Sequence, residues 1–287
     1  MLLMSSQAFG ERLRQTVAST SPLCVGLDPS PALLSQWGLE DTPGAIARMG
    51  AILLDALDGV VGVLKPQVAF FERHGSTGIA VLEEFIGNAR SRGFLVIADA
   101  KRGDIDSTMA AYGDAWLRPE SPLCADALTV TAYLGFGAME QVVAQALENE
   151  KGLFLVVASS NPEGRTLQQA TTDTGESLEA MLLRDLAKRN ARERQERGIA
   201  VGSLGAVVGA TRSVKELALT TLQGPYLVPG VGAQGATPSD VGKLFQGCYP
   251  GSVVVNASRS ILAAGPKGSA LRKAAGELGD ELRSALG

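Results

Sequence analysis

The chain has 287 residues, 45% of them hydrophobic and 20% charged, which supplies a sizeable core and excludes global disorder. Its formal net charge of −4 excludes the basic whole-protein footprint of a nucleic-acid binder, although a locally basic pocket can still take a small anion. A single histidine, His74, and three scattered cysteines, Cys24, Cys124 and Cys248, exclude imidazole-rich metal sites, zinc knuckles and a disulfide framework, and reduced thiols point to the cytoplasm.

The chain opens on MLLMSSQAFGERLRQ, which lacks a basic stretch leading into a long apolar run and does not read as a signal peptide. No run of eighteen uninterrupted apolar residues predicts a membrane span. Helical spacing begins at 7–18. The first apolar strand-like run is Leu23–Leu27, closed by Asp28. A helix over 42–57 leads to Val60–Leu64 and then Lys65. A helix over 76–91 leads to Phe94–Ala98 and Asp99. Residues 105–117 then precede Ala125–Val130 and Thr131, and residues 136–148 precede Leu153–Ala158 and Ser159. A polar, glycine-containing loop follows, a candidate lid, before a highly charged helix over 177–197. The runs Leu204–Val208, Tyr226–Val228 and Ser252–Val255 complete the set, with helical spacing at 213–220, 239–245 and 271–286.

Strand–helix alternation of this kind implies parallel strands joined by helical crossovers. Eight such units close naturally into a (β/α)8 TIM barrel, here a single domain over 1–287 with an elaborated loop after strand five. An open doubly wound sheet is the alternative, but no GxGxxG follows the first strand. In a barrel, the polar residues that end the strands gather at the C-terminal face, where active sites sit.

The most informative stretch is Asp99-Ala100-Lys101-Arg102-Gly103-Asp104-Ile105. Period-two geometry puts Asp99 and Lys101 on one face of a strand end, with Asp104 across a glycine turn. On spacing alone, this fits a catalytic cluster and a surface ion-pair group opening a helix equally well. Lys65 and Asp28 at the ends of strands two and one tip the balance, because two lysines and several aspartates gathered together are tolerated only when the charges alternate and pair.

The D-x-K-x-x-D-I pattern resembles the hallmark of the orotidine 5'-phosphate decarboxylase family. Leu64-Lys65-Pro66-Gln67 with Phe70-Phe71-Glu72-Arg73-His74-Gly75 is similar to its longer bacterial subgroup (type 2). Cys24–Pro29, Ser160–Gly164, Pro229–Gly235 and Asn256–Arg259 resemble further family motifs in order, so the likeness runs from about residue 23 to 261.

This resemblance implies a metal-free, cofactor-free lyase that converts orotidine 5'-phosphate to uridine 5'-phosphate and CO2. Lys101 is implied as the proton donor and Asp99 as the carboxylate beside the leaving group. Lys65 and Asp28 would contact the ribose and complete the charged network. Asp104 and Thr108 would be lent to the other site of a homodimer. Ser160 would bind the pyrimidine, and Gln234 and Arg259 the phosphate. The last two fall after strands seven and eight, where barrels form phosphate sites, and arginine matches phosphate with a forked pair of donors.

A magnesium-dependent keto-sugar-phosphate decarboxylase or aldolase sharing DxKxxD is the nearest alternative, and a non-catalytic nucleotide-binding barrel the next. Thr131-Ala132 stands where the subgroup has Asn-Pro, so that asparagine's contact is in question. His74 reads as a structural hydrogen-bonder, Glu72 and Arg73 as local ion pairs, and Arg184–Arg197 as a solvated helix face.

Overall fold

Each apolar run between helical segments forms a strand, and neighbouring strands pair in parallel. The computed structural model describes residues 7–212, 217–232 and 235–287. Among these, β1 (Leu23–Leu27), β2 (Val63–Pro66), β3 (Leu95–Arg102), β4 (Ala127–Val130), β5 (Gly152–Ala158), β6 (Leu204–Val208), β7 (Tyr226–Pro229) and β8 (Val253–Ala257) pair in sequence order. The barrel closes where β8 returns to β1, with Cys24 opposite Asn256. The expected (β/α)8 barrel is therefore the fold observed.

Local chemistry sets the helix starts. Thr42 caps the helix Pro43–Leu57 through its side chain, with proline at the first helical position, where a missing N–H costs nothing. Ser177 caps Leu178–Arg197, which ends at Gly198 in the left-handed conformation. Thr237 and Asp240 form a reciprocal capping box on Pro238–Leu244. The helices Phe9–Ser19, Gly75–Ser91, Asp106–Leu117 and Gly268–Leu286 fall within three residues of their predicted bounds at each end. The segment expected as a helix over 136–148 divides into a 3-10 turn, Phe136–Met139, and the helix Glu140–Glu148. Of the helix expected at 213–220, residues 213–216 lie outside the described residues, and Leu219–Thr221 is a short 3-10 turn.

The core has two shells. The larger lies between the outer faces of the strands and the helices, and includes Val25, Leu64, Val96 and Leu155. The smaller fills the barrel from below, where Phe9, Leu13 and Val17 of the first helix meet Cys24, Val63, Ile97, Ala127, Phe154 and Val254. Strand side chains alternate between these shells, as a pleat requires.

One pleat step above the inner shell the chemistry changes. Val63 gives way to Lys65, Ile97 to Asp99, Ala127 to Thr129, and Val254 to Asn256, and all four polar residues line a cavity at the C-terminal mouth. The apolar plug below and the helix-backed strands around it hold these groups on rigid elements.

Candidate active site

The cavity is about 330 Å³, and walls from all eight strands or their following loops enclose it. At its floor four charges alternate in sign. Asp28 Oδ1 lies 4.0 Å from Lys65 Nζ. Lys65 Nζ donates to Asp99 Oδ2 at 2.7 Å, and Lys101 Nζ donates to Asp99 Oδ1 at 2.6 Å. Two neutral donors complete the shell of Asp99: Gln67 Nε2 reaches Oδ2 at 2.9 Å, and the Thr129 hydroxyl reaches Oδ1 at 2.9 Å.

The two lysines differ in access. The Lys65 side chain is 4% exposed and the Lys101 side chain 49%. Lys65 is thus largely enclosed by the network while still lining the cavity, whereas Lys101 offers its ammonium freely to a ligand. Burial pushes the Asp99 carboxyl up, but the ammoniums of Lys65 and Lys101 outweigh burial and hold it well below the usual carboxylate range. Burial likewise pulls Lys65 down, and the facing carboxylates of Asp99 and Asp28 more than reverse this. Both groups are ionised at neutral pH. The thiol of Cys24, beneath them, is pushed up to about 12 by burial and stays a neutral filler.

The pairing of Asp99 with Lys101 does not come from a regular strand. The ladder between β3 and β4 shifts register between Ala98 and Arg102, and Lys101 has a φ of 47°. A non-glycine residue in that region is uncommon and carries strain. Gly103 follows, and a Cβ there would stand 2.4 Å from the Thr131 carbonyl oxygen, so only glycine fits. Thr131, in the position of the expected Asn-Pro, packs against this turn and does not appear in the described cavity wall.

Other predicted residues fall around the rim. Ser160 lines the cavity beside Ser159, whose hydroxyl and backbone N–H are both bonded by the Gln168 amide at 2.8 and 3.0 Å. Gln168 belongs to a short helix, Gly164–Gln168, inside the long loop after β5. Arg259 lines the cavity from the start of the short helix Arg259–Leu262 after β8, together with Ser258, Pro229, Gly230 and Val231. Gly26 makes the close approach of β8 possible, since a Cβ there would meet the Ser258 hydroxyl at 1.8 Å. Gln234 lies outside the described residues.

Asp104 and Thr108 are absent from the described cavity wall of their own chain. Asp104 Oδ1 accepts from the Ile105 N–H at 2.8 Å, and Thr108 is exposed on the helix Asp106–Leu117.

Glu72 pairs with Arg102, whose guanidinium lies 5.4 Å from the Tyr112 ring centroid, and Arg73 donates to Asp41 at 2.7 Å. His74 Nε2 stands 3.3 Å from the same aspartate, and neither residue belongs to the described cavity wall. Sequence reasoning assigned no role to Gln67 or Thr129, which the structure places on Asp99. The signal available for Thr129 was a lone hydroxyl in the buried run Ala125–Val130. Among the described residues, no three His, Cys, Asp or Glu side chains gather as a metal-ligand set.

Residues 21–274 match the model of the orotidine 5'-phosphate decarboxylase / HUMPS family. An orotidine 5'-phosphate decarboxylase of Streptomyces coelicolor is 46% identical over 280 residues, covering 98% of this chain and 99% of its own. One from Corynebacterium efficiens is 45% identical over 276 residues, covering 96% and 97%. Among solved structures, a Streptomyces avermitilis chain assigned as an orotidine 5'-phosphate decarboxylase superposes with a TM-score of 0.93 at 46% identity, covering 100% of this chain and 98% of that one. The Leishmania donovani OMP decarboxylase gives 0.74 at 26% identity, covering 97% and 98%. The chain belongs to the orotidine 5'-phosphate decarboxylase / HUMPS family.

Proposed function

We propose that this protein is an orotidine 5'-phosphate decarboxylase that makes uridine 5'-phosphate and CO2 for de novo pyrimidine nucleotide synthesis. The observation that carries the reading is the alternating Asp28–Lys65–Asp99–Lys101 array at the floor of the cavity, with an accessible ammonium at its end.

Decarboxylation breaks the bond between the pyrimidine ring and its carboxylate and leaves the electron pair on the ring carbon. The Lys101 ammonium stabilises that developing charge and then gives its proton to the same carbon; water reprotonates the lysine. Asp99, ionised by its two lysines, repels the substrate carboxylate, and this repulsion disappears as neutral CO2 leaves. Lys65 and Asp28 bind the ribose hydroxyls, and Ser160 binds the pyrimidine. Arg259 and Gln234 grip the phosphate, whose binding energy drives desolvation at the distant ring. The scheme calls for no metal or cofactor, because Lys101 supplies both the charge stabilisation and the proton.

The active form is a homodimer in which Asp104 and Thr108 enter the partner's cavity. Two-fold symmetry makes such an exchange reciprocal. Ile105, Tyr133 and Leu134 support this reading: they are large apolar residues 48%, 80% and 55% exposed, on the loops after the adjacent strands β3 and β4. The whole chain, 1–287, works as one domain in the cytoplasm, in keeping with its three free cysteines.

Incubation with orotidine 5'-phosphate and excess chelator tests the reaction. Equimolar uridine 5'-phosphate and CO2 are expected. Turnover only of a keto-sugar phosphate, and only with added magnesium, would overturn it.

A further inference from the structure

The Thr129 side chain lies at the centre of the charged floor, 1% exposed as a residue, in β4. Its oxygen accepts from the Lys101 backbone N–H at 2.9 Å, and its proton goes to Asp99 Oδ1, also at 2.9 Å. Chemistry fixes both directions, because a backbone amide only donates and an ionised carboxylate only accepts. The same Asp99 oxygen receives Lys101 Nζ at 2.6 Å. A closed ring results: Lys101 backbone, Thr129 hydroxyl, Asp99 carboxylate, Lys101 ammonium.

The irregular backbone explains why a hydroxyl is needed. Where β3 breaks register with β4, between Ala98 and Arg102, the Lys101 N–H donates to the Thr129 hydroxyl. Its φ of 47° persists only if neighbouring groups over-determine it. Thr129 supplies the acceptor at that point. A valine would fill the same space and keep the β-branched fit, but would leave the amide without an acceptor and Asp99 without one of its four donors.

We propose that Thr129 is a positioning residue of the decarboxylation: its hydroxyl holds the strained Lys101 backbone and orients Asp99, and thereby aims the Lys101 ammonium at the reacting carbon. This inference rests on the decarboxylase reading above. Because Lys101 acts on charge that develops only in the transition state, a loss of aim falls on kcat rather than on substrate binding.

The test compares the wild-type dimer with Thr129→Val and Thr129→Ser in steady-state kinetics with orotidine 5'-phosphate. Thr129→Val should lower kcat about 10- to 100-fold, the cost of losing a hydrogen bond to a charged group and a small misplacement of the proton donor. KM should stay within about threefold, and Thr129→Ser should recover kcat to within about threefold of wild type. An active wild type with an unchanged Thr129→Val variant would overturn the positioning role and leave the decarboxylase reading standing. So would a Thr129→Ser variant as impaired as Thr129→Val. An inactive, folded wild type would overturn the decarboxylase reading and this inference with it. Hydrogen exchange of the wild-type Lys101 backbone amide gives a readout that no variant's folding can spoil. Slow exchange is expected for an amide held by Thr129, and exchange at the rate of an open loop would overturn the proposal.

Discussion

Asp28 Oδ1 sits 4.0 Å from the Lys65 ammonium, too far for a hydrogen bond, and is buried without a hydrogen-bond partner. A buried carboxylate oxygen left in this state costs about 1–3 kcal/mol, which a ligand hydroxyl can recover by donating to it. Asp28→Ala should therefore weaken uridine 5'-phosphate binding about 10- to 100-fold by calorimetry, while a ribose-deoxygenated analogue binds wild type and variant alike. Equal loss for both ligands would show that Asp28 acts on the fold and not on the sugar.

Lys65 carries a stability prediction with a defined pH window. Asp99 has a folded pKa below its unfolded value of about 3.9, and Lys65 one above its unfolded value of about 10.4. The depressed carboxylate contributes stability that is complete above about pH 5 and is lost as pH falls through the folded pKa. The raised lysine contributes stability that is complete below about pH 9 and is lost as pH rises through its folded pKa. The two describe one pair and count once. Lys65→Met should lower this plateau, by up to about 3–5 kcal/mol at neutral pH, because Asp99 keeps its burial and loses one of its two ammonium partners while Lys101 remains. Urea unfolding at about pH 7 measures the height of the plateau, and its first decline toward about pH 3 and about pH 10 marks the two edges. A variant as stable as wild type at pH 7 would contradict the account.

Gly103 tests the turn that joins Lys101 to Asp104. A methyl at this position would meet the Thr131 carbonyl at 2.4 Å and the Thr131 hydroxyl at 2.6 Å, so the backbone must shift. Gly103→Ala should cost about 1–3 kcal/mol as overpacking, and more than about 10-fold in kcat if the shift reaches Lys101. Thermal melting and kinetics read the two separately. Full activity would show that the turn and the charged floor are mechanically independent.

Subunit exchange tests the sharing of sites. Lys101→Ala and Asp104→Ala homodimers should each be nearly inactive. Mixed dimers should regain one intact site, because both lesions collect in the other, so activity should rise toward a quarter of wild type in an equal, fully exchanged mixture. No recovery after verified exchange would place Asp104 in its own chain's site.

Much of this was legible from sequence. Barrel strands alternate inward and outward, so a lysine or aspartate ending an apolar run marks the cavity mouth, which makes Asp28, Lys65 and Asp99 legible, and period two adds Lys101 beside Asp99. The φ of Lys101 was not legible, because period two assumes a regular strand and β3 is irregular at that point. Thr129 was hidden for a different reason. Threonine is itself a strand former, so one hydroxyl in Ala125–Val130 carries no signal until pairing with β3 shows which side it faces. The helices Pro31–Gln36, Ala69–Glu72 and Arg259–Leu262 escaped detection because one or two turns are too short to display a 3.6-residue period.

The most direct test of the central claim is a continuous ultraviolet assay of orotidine 5'-phosphate with excess EDTA, comparing wild type with Lys101→Ala. The account predicts rapid loss of substrate absorbance with wild type, stoichiometric uridine 5'-phosphate, and turnover lower by at least about 1000-fold in the variant, as expected when both charge stabilisation and the proton donor are removed. Comparable turnover by Lys101→Ala, or no turnover by folded wild-type dimer, would contradict it.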